Sequence, residues 1–301
     1  MKQNTKQSEK RAFTIIELLT VMSIIIILIG LLVPSLNMAK RYAKEVRQKA
    51  QFHSIDSAME LFSGEWDNYP PSTAMSDAAT PVDYCGSMKL CEALVGQDLM
   101  GFNPLSRFLS NCTMDGATAT KLYDNNPIGD PLYPDTQTNL KSRKTYLQQT
   151  SDAYRMSELY GAGNTGTLDE DLYVLCDVYN RVKHTVTGKG VGMPILYYKA
   201  DTLGYKHDAN NIPTVYDDNL DNIYNYLDND KLVQLPPPWN IGTTHPLSST
   251  AAGGTNFYEV TKDSRISMDE GRPYRPDSYI LISAGFDGLY GTDDDIFNFE
   301  K

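Results

Sequence analysis

Cysteine, histidine and positive charge are what this chain has little of. Its 301 residues include only 4 Cys. That is too few for a disulfide-dense mini-fold, and Cys85, Cys91, Cys112 and Cys176 are poorly spaced for a zinc finger. The 4 His (His53, His184, His207, His245) are scattered, and each reads as a surface or core residue rather than a catalytic base. Lys and Arg number 27 against 38 Asp and Glu, a formal net charge of −11. An acidic chain repels phosphate backbones, so no nucleic-acid partner is expected. G-x-S-x-G, H-E-x-x-H and P-loop motifs are missing as well, and nothing calls for an enzyme. Gly161-Ala162-Gly163-Asn164-Thr165-Gly166 matches G-x-G-x-x-G letter for letter. The residues before it make a poor strand and no amphipathic helix opens after it, so it reads as a loop.

What the chain does have is one long uncharged run, LLTVMSIIIILIGLLV, from Leu18 to Val33. Counted from Phe13 the apolar segment is 21 residues. As a helix that is about 31 Å, against about 30 Å of bilayer hydrocarbon. A cleaved secretory signal would fit the basic start (Lys2, Lys6, Lys10, Arg11), but the run exceeds the usual apolar region and Leu36-Asn37-Met38-Ala39 offers no clean cleavage site. A plain single-span anchor fits the length. Neither reading uses Glu17, which lies inside the segment. A carboxylate in hydrocarbon costs about 2.5–3.5 kcal/mol at the centre and less near the interface. It makes sense where a positive charge meets it. Cutting between Ala12 and Phe13 would create that charge, a new α-amine at membrane depth.

Lys10-Arg11-Ala12-Phe13-Thr14-Ile15-Ile16-Glu17-Leu18-Leu19 resembles the processing site of type IV pilins and type II secretion pseudopilins. The resemblance implies that a prepilin peptidase removes residues 1–12 as a leader and methylates the amine of Phe13. It also implies that Glu17 sets the register of a helical fibre by pairing with a neighbouring copy's N-terminus. Ala12 stands where that family usually has Gly. Pro34 falls where the family places a helix-interrupting proline, with Ser35 as the expected restart. Removing the leader takes away four positive charges and one negative, leaving −14 on the mature subunit.

Residues 35–66 continue as a helix candidate. Ile55, Ala58, Met59 and Phe62 make one apolar stripe, residues 40–50 are mostly charged, and Asn68-Tyr69-Pro70-Pro71 stops the helix. The helix end, Ser57 to Pro70, is similar to that of secretion-type major pseudopilins. Beyond residue 72 the signals are short and β-like. Leu172–Leu175, Met193–Lys199 and Tyr279–Ser283 read as strands, and residues 92–99 and 219–227 as short helices. The expected fold is α+β and pilin-like. A transmembrane helix (13–34) leads into a head (35–301) whose long helix packs on a small antiparallel sheet with long loops. Residues 72–190 form an insertion-rich region with no assigned role.

Outside the cytoplasm disulfides are permitted, and Cys85–Cys91 is the local candidate pair; Cys176, in an apolar strand, reads as a buried thiol. Near the C-terminus, Ser283 to Ile296 carries Gly285, Gly288 and Gly291 and four carboxylates, Asp287, Asp293, Asp294 and Asp295. Either an exposed acidic turn or a hard cation with oxygen ligands accounts for it. The stretch 276–299 resembles the C-terminal calcium loop of secretion-type major pseudopilins. Carried over by position, this implies calcium held by Asp287, Asp293, Asp295 and the Ala284 carbonyl, with Asp294 pointing away. A second patch, Asp217 to Asp221, reads as a helix cap rather than a metal loop.

The resemblance implies a subunit of a type II secretion pseudopilus, waiting in the inner membrane as a single-pass protein with its head in the periplasm or outside. Its partners would be further copies of itself in a periplasmic fibre that drives protein export, the prepilin peptidase, minor pseudopilins and the inner-membrane assembly platform. A surface pilin for adhesion or motility is the alternative within the superfamily. A membrane-anchored extracytoplasmic enzyme or binding protein is the alternative from another class.

Overall fold

The computed structural model describes residues 14–77, 80–110, 122–123, 140–148, 152–208, 221–248, 250–266 and 271–300. Ala12, Phe13, Cys112 and Asp217–Leu220 lie outside these residues. The chain divides into two compact units, residues 1–44 and 45–301.

In the first unit the described structure is the start of helix α1 (Ile15–Trp66). Its side chains from Ile15 through Tyr42 are exposed. An apolar helix with no polar face has nothing to bury itself against in water. Among the described residues it is the one helix long and apolar enough to cross a bilayer. Its two hydroxyls are satisfied locally. Thr20 Oγ1 donates to the Ile16 and Glu17 carbonyls, both at 3.0 Å, and Ser23 Oγ to the Leu19 carbonyl at 2.7 Å. Neither needs water, as a hydroxyl in hydrocarbon requires. The helix does not restart at Ser35, because Pro34 lies in its interior.

The second unit is an α+β body with small antiparallel sheets. Here α1 buries Gln48, Phe52, Ile55, Ala58, Met59 and Phe62, spaced three or four apart on one face. The expected stripe is therefore the packing face, extended two turns back to Gln48. After Trp66 the chain leaves the helix through Asp67, in the left-handed region at φ 56°.

That face packs against a three-stranded sheet, β7 (Leu196–Lys199), β8 (Tyr279–Ser283) and β9 (Ile296–Phe297), ordered β7-β8-β9 and antiparallel throughout. Leu196 pairs with Ile282, Tyr198 with Ile280, and Ile282 with Phe297. Tyr197, Tyr279 and Leu281 share a core cluster with Phe52, Ile55, Met59 and Phe62. Leu196, Tyr198, Ile280 and Ile282 join a second cluster on the other side. All five residues of β8 are buried, which is why it reads YILIS and not as an alternation.

The region 72–190 is no appendage where it is described. It supplies β1 (Met75–Asp77) and β2 (Thr80–Tyr84), helix α2 (Gly86–Val95), and the hairpins β3 (Ala153–Arg155) with β4 (Tyr173–Leu175) and β5 (Val182–Lys183) with β6 (Gly190–Val191). Every residue of α2 is buried. Met88 faces one core cluster; Leu90, Cys91 and Ala93–Val95 face the other. Its charges are satisfied inside. Lys89 Nζ donates to the Thr73 carbonyl at 2.5 Å. Glu92 accepts from Tyr84 Oη at 2.5 Å, from Gln97 Nε2 at 3.0 Å and from Ser106 Oγ. The helix begins at Gly86 and ends at Val95, earlier than the expected 92–99. Of the expected helix at 219–227, the described part holds a 3-10 turn at Tyr226–Asp228, followed by a helical turn at Asp230–Val233.

The abundant tyrosines now have a reason. Nine of the largest fully buried side chains are Tyr. With strands this short, much of the buried backbone belongs to loops, whose carbonyls need donors. Tyr197 Oη reaches the Pro70 carbonyl at 2.7 Å, Tyr226 Oη that of Leu247 at 2.9 Å, and Tyr258 Oη that of Tyr224 at 3.1 Å. Tyrosine fills the core and supplies the donor with one side chain.

Candidate functional site

Two places carry the chemistry expected from the sequence. The first is the start of α1. The Thr14 carbonyl accepts from Leu18 N at 3.3 Å, so Thr14 is the residue that opens the helix. Glu17 Oε2 accepts from Thr14 N at 2.9 Å and from Thr14 Oγ1 at 2.7 Å, and Glu17 N donates back to Thr14 Oγ1 at 3.3 Å. This is a reciprocal capping box, Thr-x-x-Glu, which satisfies donors that the first turn leaves unpaired. Glu17 thus has a use within its own helix that the sequence reading overlooked, although the signature is written in Thr14-Ile15-Ile16-Glu17. Its carboxylate faces back toward the N-terminal end, one residue from the expected cut.

The second place is the loop between β8 and β9. Gly285 adopts φ 64°, and a Cβ there would lie 2.1 Å from the Asp294 carbonyl oxygen. Gly288, at φ 76°, would put a Cβ 2.5 Å from the Trp239 ring. Only glycine fits either position. Hydrogen bonds close the loop on itself. Gly288 N donates to the Ala284 carbonyl at 3.1 Å, Leu289 N to Asp287 Oδ1 at 2.7 Å, and Gly291 N to Asp295 Oδ2 at 2.7 Å. Asp294 turns inward: its Oδ2 accepts from Asp287 N at 2.9 Å and its Oδ1 from Thr292 Oγ1 at 2.8 Å. From outside, Arg181 Nε donates to the Asp287 carbonyl at 3.0 Å, and the Arg181 guanidinium lies 5.4 Å from the Trp239 ring centre.

The backbone N–H of Asp287 thus holds the Asp294 carboxylate beside its own residue. Partial burial, then the charge of Asp294, pushes the Asp287 carboxyl above its ordinary range. Burial opposes ionisation of Asp294 too, but donors from Thr292 and from the backbone of Asp287 and Phe286 outweigh it and hold that carboxyl low. No protein-family model matches the chain, and neither does any curated protein or solved structure. The site therefore rests on its own geometry.

The structure brings together only part of the expected ligand set. Asp287 and the Ala284 carbonyl lie in the loop, Asp295 is tied to Gly291, and Asp293 is exposed. Among the described residues no three His, Cys, Asp or Glu side chains gather as a metal group. Asp294 does not point away as expected; its contacts make it the partner of Asp287, and Asp293 takes the outward position. The loop's donors are all oxygens, carboxylate and carbonyl, the kind that a hard cation takes.

The candidate disulfide is not formed: Cys85 and Cys91 are free, buried thiols, as is Cys176. Cys85 precedes α2 and Cys91 is the sixth residue of it. Six helical residues separate two Cα atoms by about 9 Å, beyond disulfide reach. Burial pushes the Cys85 thiol up to about 11. Gly161–Gly166 is a loop that follows a helical turn, Met156–Tyr160, rather than a strand. His53 is exposed and His184 lies 3.9 Å from Glu158, while His207 and His245 are core residues.

Proposed function

We propose that the chain is a fibre subunit of the type IV pilin kind, most like the major pseudopilin of a type II secretion system. The observation that carries this reading is Glu17, an acidic residue in the first turn of the one described helix suited to a bilayer. In the proposed mechanism the helix holds the subunit in the inner membrane with residues 45–301 outside. A prepilin peptidase cuts between Ala12 and Phe13. The Glu17 carboxylate then exchanges its contact with Thr14 for the α-amine of a neighbouring copy, which fixes the axial step of the fibre.

The first test is the intact mass of the protein taken from native membranes. The expected species begins at Phe13 and carries a methylated amine. A chain beginning at Met1 would be a simple anchor, and one beginning near Lys40 a secreted soluble protein; either result overturns the fibre reading.

Calcium belongs to the same proposal, resting on the resemblance and on the paired carboxylates. Bound at the loop, it would relieve the repulsion between Asp287 and Asp294 and brace the C-terminal end of the body. Adding millimolar calcium should raise the melting temperature by several degrees, since about 1–2 kcal/mol shifts a body of this size by roughly 2–8 °C. Asp294→Asn should remove the shift and Asp293→Asn should keep it. A melting temperature indifferent to calcium and chelator would withdraw the metal.

A further inference from the structure

A cleft of about 140 Å³ runs along α1 where it meets the corner between β3 and β4. Ile55, Leu147 and Leu175 give it an apolar floor, and Arg47, Gln51 and Asp152 give it polar walls. Two glutamines of α1 anchor the chain beyond β4. Gln48 Oε1 accepts from Val178 N at 3.0 Å, and Gln51 Nε2 donates to the Cys176 carbonyl at 2.9 Å and to Asp152 Oδ2 at 3.4 Å. They satisfy backbone groups that the three-residue strand leaves unpaired. That explains one end of each amide. Of the two, only Gln51 lines the cleft, and its other end, Oε1, is buried without a hydrogen-bond partner. Such an atom is costly, and its presence calls for a reason.

Arg47 and Asp152 add a second, independent oddity. They carry opposite charges on one small cleft. Among the described residues they are paired neither with each other nor with any other ion. A purely structural ion pair would have closed the gap. Held apart over an apolar floor, the two charges match a molecule that itself carries both signs. A water occupies about 10–15 Å³ on this measure, so the cleft holds on the order of ten heavy atoms.

We propose that this cleft binds a small aliphatic zwitterion, an α-amino acid of the leucine or valine type. Its carboxylate would meet Arg47 and its ammonium Asp152 and Gln51 Oε1. Its side chain would lie on Ile55, Leu147 and Leu175. The site is independent of the fibre reading, which the N-terminal mass decides separately.

The test is calorimetric titration of the full chain in detergent micelles with leucine, with isopentylamine (leucine without its carboxylate) and with 4-methylpentanoate (leucine without its amine). Leucine should bind saturably with a Kd of about 1 mM or below, and each single-charge analogue at least about tenfold more weakly. Arg47 is on the surface, so Arg47→Gln keeps the fold; it should weaken leucine about tenfold and leave isopentylamine unchanged. Asp152→Asn should weaken leucine and leave 4-methylpentanoate unchanged. No saturable heat with leucine up to about 10 mM, or isopentylamine binding as well as leucine, overturns the proposal.

Discussion

Glu17→Gln should abolish incorporation into the fibre while leaving the amount of protein in the membrane unchanged. Two roles meet on this carboxylate, and glutamine separates them. At the last position of the capping box, three residues after Thr14, Gln serves as well as Glu, because its amide oxygen accepts from the same Thr14 N–H. The helix start therefore survives. What disappears is the negative charge. In the fibre reading that charge meets the α-amine of a neighbouring copy at membrane depth. An amine left unpaired there costs about 2.5–3.5 kcal/mol, roughly a hundredfold in the assembly equilibrium. Fibre recovered by shearing or cross-linking, normalised to membrane-embedded subunit, should fall by about that factor. Glu17→Ala removes cap and charge together and should do no better than Gln. If the Gln variant assembles like the parent, Glu17 is a helix cap and its register role is abandoned.

Legibility followed how much of an element's surroundings its own residues encode. The α1 stripe was readable because a half-buried helix displays its period, and Ile55, Ala58, Met59 and Phe62 are all in the core. β8 was readable for the opposite reason, since a strand buried on both faces is a short unbroken apolar run. α2 was misplaced by six residues at its start. It lies between two core clusters with no solvent face, so it has no period to show, and Lys89 and Glu92 within it look like surface residues. Only tertiary partners such as Thr73, Tyr84 and Ser106 make them internal. The C-terminal loop was located from Gly285, Gly288 and Gly291, whose positive φ values the turn requires. Which of four carboxylates turned inward could not be read there, because it depends on Thr292 Oγ1 and on the backbone N–H of Asp287. The Cys85–Cys91 pairing failed because it assumed a loop where the chain forms a helix. Gln48 and Gln51, polar residues on the packing side of α1, had no sequence signal beyond interrupting the stripe.

The body should lose stability as pH falls from about 6.5 toward 4, and two buried histidines should account for most of that slope. His207 is 3% exposed and His245 1%. Burial pushes both imidazoles down to about 4; at His207 a hydrogen bond to the Tyr258 carbonyl opposes the shift and the charge of Lys262 adds to it. The geometry agrees. His207 Nε2 lies 3.0 Å from the Tyr258 carbonyl, which makes it the protonated nitrogen and leaves buried Nδ1 without a partner for a second proton. His245 Nδ1 accepts from Tyr290 N at 3.2 Å, so a proton there would face a donor. The unfolded chain takes up these protons near 6.5 and the folded chain only near 4. The stability they contribute is thus complete above 6.5 and lost as pH falls through that window. By pH 5 the loss is about 2 kcal/mol per histidine. Glu92 works the other way: burial raises its carboxyl, so acid relieves part of its penalty. The readout is therefore a difference. Between pH 7 and pH 5, urea midpoints of the parent should fall more steeply than those of His207→Gln or His245→Gln, each variant recovering about 2 kcal/mol of slope whatever its stability at pH 7. Equal slopes in parent and variants would mean that these rings take up protons in the folded body as readily as in water.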